Sequence, residues 1–372
     1  MSQSLLHLEE KYNILVVNRG VDINGDTGFG DGFYLLGLNK MDKHGPYCEI
    51  YNPYLVRMIS QNHCLFVTQK SNDSTLQATT LNASLNQSDK FDLSVKNYTI
   101  MVFNIEQNKI MLHFTIGNKI LNIITVDEYI LIVTISQILV YSQNILINNN
   151  DPNNITFVKT IHTYTNPKGL CSAKCNKNIL VIATLGRCAG EIMICTLKKK
   201  SNLYIQAHNY NITNVVLDDK CELVGTTSES GTLINVFDIP NCTKVYQFRR
   251  GIFGTTIHNI EFNCTSNYVT CCSDNGSVHV FHLYDKCSNN VEQKNTTSNF
   301  SVLGSIVPVC HSEWAYKLFK INPHVRAKSY FIKENDTINI HVVANDLMYY
   351  IIEDVEKNQD TIIKHDISKL LK

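Results

Sequence analysis

One kind of strand ending recurs along this chain. A run of β-forming residues leads to an aromatic residue and then to a polar one: EIYN closing at Asn52, MVFN at Asn104, LVYS at Ser142, NVFD at Asp238 and HVFH at His282. MICT at Thr196 is a weaker copy with Cys195 in the aromatic place, and YYIIED near Ile352 is weaker again, which makes seven. The residues in that place, Tyr51, Phe103, Tyr141, Cys195, Phe237, Phe281 and Ile352, lie 52, 38, 54, 42, 44 and 71 positions apart. Four short strands with their turns, one blade of a β-propeller, need roughly 40–45 residues. The shorter intervals fit directly and the longer ones need inserted loops, which the polar segments 71–90 and 148–154 and the long segment 284–310 supply. The expectation is an all-β, seven-bladed propeller formed by residues 1–372 as one domain. Radial closure leaves few open sheet edges, which suits a chain with so many short strands. A pair of β-sandwiches is the competing architecture, and weak helical patterning is confined to the two ends.

Composition narrows the function. Basic and acidic residues balance to zero net charge, and no basic run is long enough to follow a nucleic-acid backbone, so any anion site must be local. The amino terminus, MSQSLLHLEEKY, has no basic segment leading into an apolar one, which predicts no cleaved signal. The most apolar stretch, residues 120–141, contains Asp127 and Glu128 and reads as consecutive buried strands, not as a membrane span. Thirteen cysteines, an odd number without a C-x-x-C pair, point to reduced thiols in the cytoplasm and to neither a disulfide framework nor a zinc site. Residues 22–33, DINGDTGFGDGF, resemble a calcium loop only in Asp22, Asn24 and Asp26. Thr27 and Phe33 stand where glycine and glutamate are needed, and G-x-G-x-G without a following helix is no dinucleotide fingerprint. No motif for a nucleophile, a metal or a nucleotide occurs, so the expectation is a binding protein that is not an enzyme and uses no cofactor.

The arginines carry the sharper signal. There are six, Arg19, Arg57, Arg187, Arg249, Arg250 and Arg326, and two are adjacent in YQFRRGIF, residues 246–253. Guanidinium offers a rigid fork suited to phosphate, and neighbouring side chains on a strand point to opposite faces, so one strand can serve two pockets. An exposed strand end with salt bridges is the plain alternative. His279 and His282 have opposite parity and cannot chelate one metal, which leaves His282 a structural role.

In context the pair has company. Residues 223–283 contain Phe248-Arg249-Arg250-Gly251 and, further on, SDNGSVHVFHL; NPKGLCSAKCNKNILVIATLG, GEIMICTL and QAHNYNI precede them, and SEWAYKLFKI follows. This ordered set resembles the PROPPIN family, the phosphoinositide-binding seven-bladed propellers that include the WIPI autophagy proteins. The resemblance runs from about Tyr164 to Ile321 and implies two lipid-headgroup sites at the propeller rim. The first would join His208, Thr226, Ser228, Gly231, Thr232 and Arg249; the second would join Arg250, Gly251, Ser273, Ser277 and His279. Asn235 stands where several relatives carry a basic residue beside the first site, and Ser277 where threonine is usual. Phe300, Val302, Leu303, Ile306 and Val307 would form a membrane-inserting loop, with the start of the next strand as the other reading of that segment. The resemblance further implies recognition of phosphatidylinositol 3-phosphate and the 3,5-bisphosphate by a monomer on autophagosomal, endosomal or vacuolar membranes. Its partners would be autophagy proteins, such as a lipid-transfer protein or a conjugation scaffold, on the second and third blades. The alternative is a protein-interaction scaffold that binds no lipid.

Overall fold

The computed structural model describes residues 6–9, 14–18, 33–37, 43–47, 55–69, 98–143, 155–198, 201–284, 295–296, 312–334, 337–357 and 360–370. Among these, strands rich in β-branched and aromatic residues alternate with short polar turns and pair antiparallel with their sequence neighbours into seven sheets, the pattern of a seven-bladed β-propeller.

Two compact units are distinguished, residues 1–169 and 170–372. The first holds three sheets. They are β1 (Leu6–Glu9) to β4 (Lys43–Tyr47) through β2 (Ile14–Asn18) and β3 (Phe33–Gly37); β5 (Leu55–Met58), β6 (His63–Gln69), β7 (Tyr98–Asn104) and β8 (Lys109–Ile116); and β9 (Asn122–Val126), β10 (Tyr129–Val133), β11 (Gln137–Gln143) and β12 (Ile155–His162). The apolar stretch 120–141 therefore forms consecutive strands, and Ile123, Ile130 and Ile132 lie in one core with Ile100 and Leu65 of the second sheet.

The second unit holds four sheets. The fourth is β13 (Cys171–Asn176), β14 (Ile179–Leu185), β15 (Glu191–Thr196) and β16 (Leu203–Gln206); the fifth is β17 (Ile212–Leu217), β18 (Leu223–Ser228), β19 (Leu233–Asp238) and β20 (Thr243–Arg249). The sixth takes β21 (Ile257–Phe262), β22 (Tyr268–Ser273) and β23 (Ser277–His282), then a fourth strand from further along the chain. Two-residue β24 (Glu313–Trp314) first pairs parallel with the outer edge of β20, and β25 (Lys317–Lys320) then returns to β23. The seventh is β26 (Ala327–Glu334), β27 (Thr337–Ala344), β28 (Met348–Glu353) and β29 (Thr361–Asp366), followed by the short helix α1 (Ile367–Leu370). The fifth and sixth sheets share a core in which Phe248 stacks on Phe281 with centroids 4.9 Å apart, beside Ile234, Val236, Val269 and Cys271. No helix among the described residues is long and apolar enough to cross a membrane.

Two sequence expectations shift. The repeated ending marks the third strand in the second to seventh sheets, but the third strand of the first sheet is Phe33–Gly37, and Tyr51 lies beyond that sheet's last strand, outside the described residues. Helical patterning at the ends gives only α1, because Leu6–Glu9 pairs with β2 as a strand. Segments 22–32, 71–90, 148–154 and 297–310 lie outside the described residues, and with them the candidate membrane-inserting residues Phe300, Val302, Leu303, Ile306 and Val307.

Candidate anion-binding sites around the arginine pair

β20 ends on Arg249, and Arg250 follows it with its N–H still donating to the Thr232 carbonyl at 2.9 Å. Registration assigns the two faces. Asn235 lies opposite both Thr226 and Gln247, so these side chains and that of Arg249 share the face toward Ala207 and His208. Phe248 and Arg250 share the other face, which packs on the sixth sheet. Both arginines are buried, with 7% and 5% of their surface exposed.

On the first face, His208 follows the exit of β16, held there because the amides of Ala207 and His208 both donate to the Gly190 carbonyl, at 2.9 and 3.1 Å. Gly190 has φ +76°, and a Cβ on it would sit 2.0 Å from the His208 carbonyl oxygen, so glycine is required for this approach. His208 Nε2 lies 3.1 Å from the Thr226 hydroxyl, Asn235 donates to the Ala207 carbonyl at 2.9 Å, and Gln247 donates to Asn235 Oδ1 at 3.1 Å. These four polar side chains form one internal network, and burial pulls the His208 imidazole down to about 4, with Lys244 adding to the effect. Arg249 reaches elsewhere: its Nε–H donates to the Ser312 hydroxyl at 2.7 Å, just ahead of β24. Ser228 lies 3.1 Å from Ser230, and Thr232 contributes its carbonyl to Arg250. The amide side chain of Asn235 closes the network around His208.

The second face is arranged differently. Arg250 Nε–H donates to the Gly231 carbonyl at 3.0 Å and an Nη2–H donates to the Phe253 carbonyl, so backbone oxygens fix the fork. Among the described residues no carboxylate forms an ion pair with it, and burial lowers its affinity for its own proton. By contrast, Arg187 is held by both oxygens of Glu191, at 3.1 and 2.7 Å. Facing Arg250 from the sixth sheet is His279, whose imidazole is pulled down to about 3 by burial and then by the positive charges of Arg250 and Lys320. His279 Nε2 lies 3.0 Å from the Ser277 hydroxyl; the Ser273 and Ser277 hydroxyls are 2.8 Å apart and reach Asn275 Oδ1 at 2.7 and 2.6 Å. Lys320 stands opposite Ser277 on β25. One fixed guanidinium, the nearby charge of Lys320, a neutral imidazole and two small hydroxyls thus lie together, with no carboxylate paired to Arg250 among the described residues, an arrangement suited to a phosphate.

Sequence reasoning omitted Ser312, Lys320 and Asn275. The first two lie in SEWAYKLFKI and arrive through the crossing of β24 and β25, whereas Asn275 sits in the β22–β23 turn itself. His282 packs at a tilt against Tyr268 and stacks on Tyr284, centroids 5.1 and 6.0 Å away, on the side of β23 opposite His279.

A sequence profile of the PROPPIN family matches residues 107–307, more than half of the chain. The chain belongs to the PROPPIN family. It is similar to Autophagy-related protein 18 of Dictyostelium discoideum, with 31% identity over 140 residues, 37% of this chain and 38% of that protein. In two further curated relatives the matched stretch is 28% and 47% of the relative's length, so the chain spans less than half the length of the curated relatives it matches. Kluyveromyces lactis Hsv2 superposes with TM-score 0.63 at 16% identity, over 97% of this chain and 96% of that one. A chain from the complex of KlAtg21 with the coiled coil of AgAtg16 superposes with TM-score 0.65 at 18% identity, over 98% and 99%. At these identities the likeness is one of fold, and these PROPPIN neighbours share the propeller.

Proposed function

We propose that this PROPPIN is a peripheral membrane protein that recognises phosphatidylinositol 3-phosphate and the 3,5-bisphosphate through the pockets on either side of Arg249 and Arg250, and brings autophagy proteins to the membranes carrying them. The observation that carries this reading is Arg250. It is a buried, geometrically fixed guanidinium with no carboxylate partner among the described residues, faced by His279 and the Ser273–Ser277 hydroxyls and flanked by Lys320. Burying such a charge is costly unless an anion completes it. The Arg250 pocket is the principal site, because the His208 network is closed by Asn235 and Arg249 is bonded to Ser312.

The chemistry is that of binding. The contact of Ser277 with His279 invites comparison with a nucleophile and its base, but an imidazole drawn down to about 3 is a poor proton acceptor near neutral pH. For partners, a PROPPIN neighbour in complex with a coiled coil, KlAtg21 with that of AgAtg16, supports an autophagy protein as the partner, expected on the second and third blades.

Co-sedimentation with vesicles carrying each phosphoinositide in turn tests the proposal. A phosphate contact from a charged donor contributes roughly 1.5–3 kcal/mol, so Arg250→Ala is expected to weaken binding by about tenfold or more. Arg249→Ala is expected to cost less, and the double variant to stay in the supernatant. If the wild-type chain ignores every phosphoinositide vesicle, the scaffold reading replaces this one.

A further inference from the structure

The connection from β20 to β21 carries Ile252 and Phe253, of which 64% and 85% of the surface is exposed. Phe253 is more exposed than any other large apolar residue among those described, and it follows the buried Arg250 by only three positions. The two are joined physically, since the Phe253 carbonyl accepts from the Arg250 fork. On the facing sheet, Leu318 pairs with His279 across β25 and β23, so its side chain emerges on the same side of the sheet, and it too is half exposed at 51%. Lys320, two residues on, shares that face. An anion-seeking pocket is therefore flanked on both sides by projecting apolar side chains.

We propose that Ile252 and Phe253, with Leu318 opposite, enter the interface of a lipid bilayer while the Arg250 pocket holds a phosphorylated headgroup of the same leaflet. The inference rests on the headgroup reading above and adds a second contact to it. A side chain as exposed as Phe253 projects from the molecule and lines no groove, whereas an extended peptide needs a concave seat; a bilayer accepts a projecting ring. A membrane surface also presents anionic groups and hydrocarbon side by side, matching the order from Arg250 to Phe253. A Cβ on Gly251 would meet no neighbour closer than 3.9 Å, so the turn between the two is open. The contact lies in the β20–β21 turn and is distinct from segment 284–310.

The full chain is tested with the double variant Ile252→Ser/Phe253→Ser, in sedimentation with phosphatidylcholine vesicles containing phosphatidylinositol 3-phosphate and in calorimetry with soluble inositol 1,3-bisphosphate. Both side chains are exposed, so the fold does not depend on them. Vesicle binding is expected to fall roughly tenfold or more, with affinity for the soluble headgroup unchanged; Arg250→Ala weakens both. A second variant, Phe253→Trp in a Trp314→Phe background, is expected to show a blue-shifted emission on vesicle binding and quenching by brominated acyl chains. Serine variants that sediment like wild type, or a tryptophan that the bromines do not reach, overturn the inference and leave the headgroup reading in place. Binding of the soluble headgroup without binding of vesicles also overturns it, and binding of neither removes both readings.

Discussion

Gly231 shows how much one position can control. It sits at φ +60° with its N–H donating to the Ser228 carbonyl, its own carbonyl accepts from Arg250, and a Cβ there would lie 1.6 Å from the Thr255 carbonyl oxygen. The obstacle is backbone and cannot swing aside, so Gly231→Ala is expected to destabilise the chain by roughly 2 kcal/mol or more. It should also displace the Arg250 fork, and thermal denaturation together with headgroup titration measures both effects. His279 makes a different prediction. Its folded pKa of about 3 lies below the ordinary 6.5, so between these values the unfolded chain binds a proton that the folded chain does not. The stability it contributes is complete above about pH 6.5 and is lost as the pH falls toward 3, by up to about 1.4 kcal/mol per pH unit. His279→Asn should flatten that slope and move the acid-unfolding midpoint to lower pH; an unchanged acid transition would show that the imidazole is already charged in the fold.

At the scale of the element, the turns between first and second strands of the fifth and sixth sheets use one device. Asp218 Oδ1 accepts from the amides of Glu222 and Leu223, both at 2.8 Å, and Asn263 Oδ1 accepts from those of Asn267 and Tyr268, also at 2.8 Å. Each turn carries a residue at positive φ, Cys221 and Ser266. The two turns are linked, since the Ser266 hydroxyl donates to Asp218 Oδ2 at 2.8 Å. Asp218→Ala removes the acceptor of two amides and a hydroxyl at partly exposed positions, a loss of roughly 1.5–4.5 kcal/mol at about 0.5–1.5 kcal/mol for each hydrogen bond. Faster amide exchange at Glu222 and Leu223 would report it, and unchanged exchange there would show the turn to be held by other contacts. The crossing at β24 is pinned in a comparable way. Asn295 accepts from the His282 amide at 2.7 Å and donates to Glu313 at 2.8 Å, and the Trp314 amide donates to Thr296 at 2.9 Å. Without this crossing, Ser312 would not reach Arg249.

At the scale of the whole molecule, zero net charge makes a prediction about membranes. A chain with 33 basic and 33 acidic residues has no net charge to draw it to an anionic surface, so the proposed membrane affinity rests on pockets and apolar contacts. Vesicles of phosphatidylcholine and phosphatidylserine without phosphoinositide are expected to leave the chain in the supernatant at physiological salt; strong sedimentation with them would mean a diffuse electrostatic mechanism. Much of this molecule was legible in its sequence. The repeated ending located the third strand of six sheets, and Asp127 and Glu128 marked the turn that separates β9 from β10. The ending at Tyr51 did not locate the third strand of the first sheet, Phe33–Gly37, because composition does not record a segment's place in a sheet. The opposite facing of Arg249 and Arg250 could be read in advance, since alternation along a strand is fixed by backbone geometry and needs no knowledge of neighbours. The partners on each face were a different matter. Ser312 stands 63 positions from Arg249, Lys320 reaches the His279 side only because β25 returns to β23, and Asn235 closes the His208 network through contacts with Ala207 and Gln247. Sequence alone determined the strands, their repeat and the divergence of the two guanidinium groups, because these follow from local covalent geometry. Only the tertiary structure decided which partners meet each guanidinium, because that depends on how distant strands dock and which side chain completes each charge.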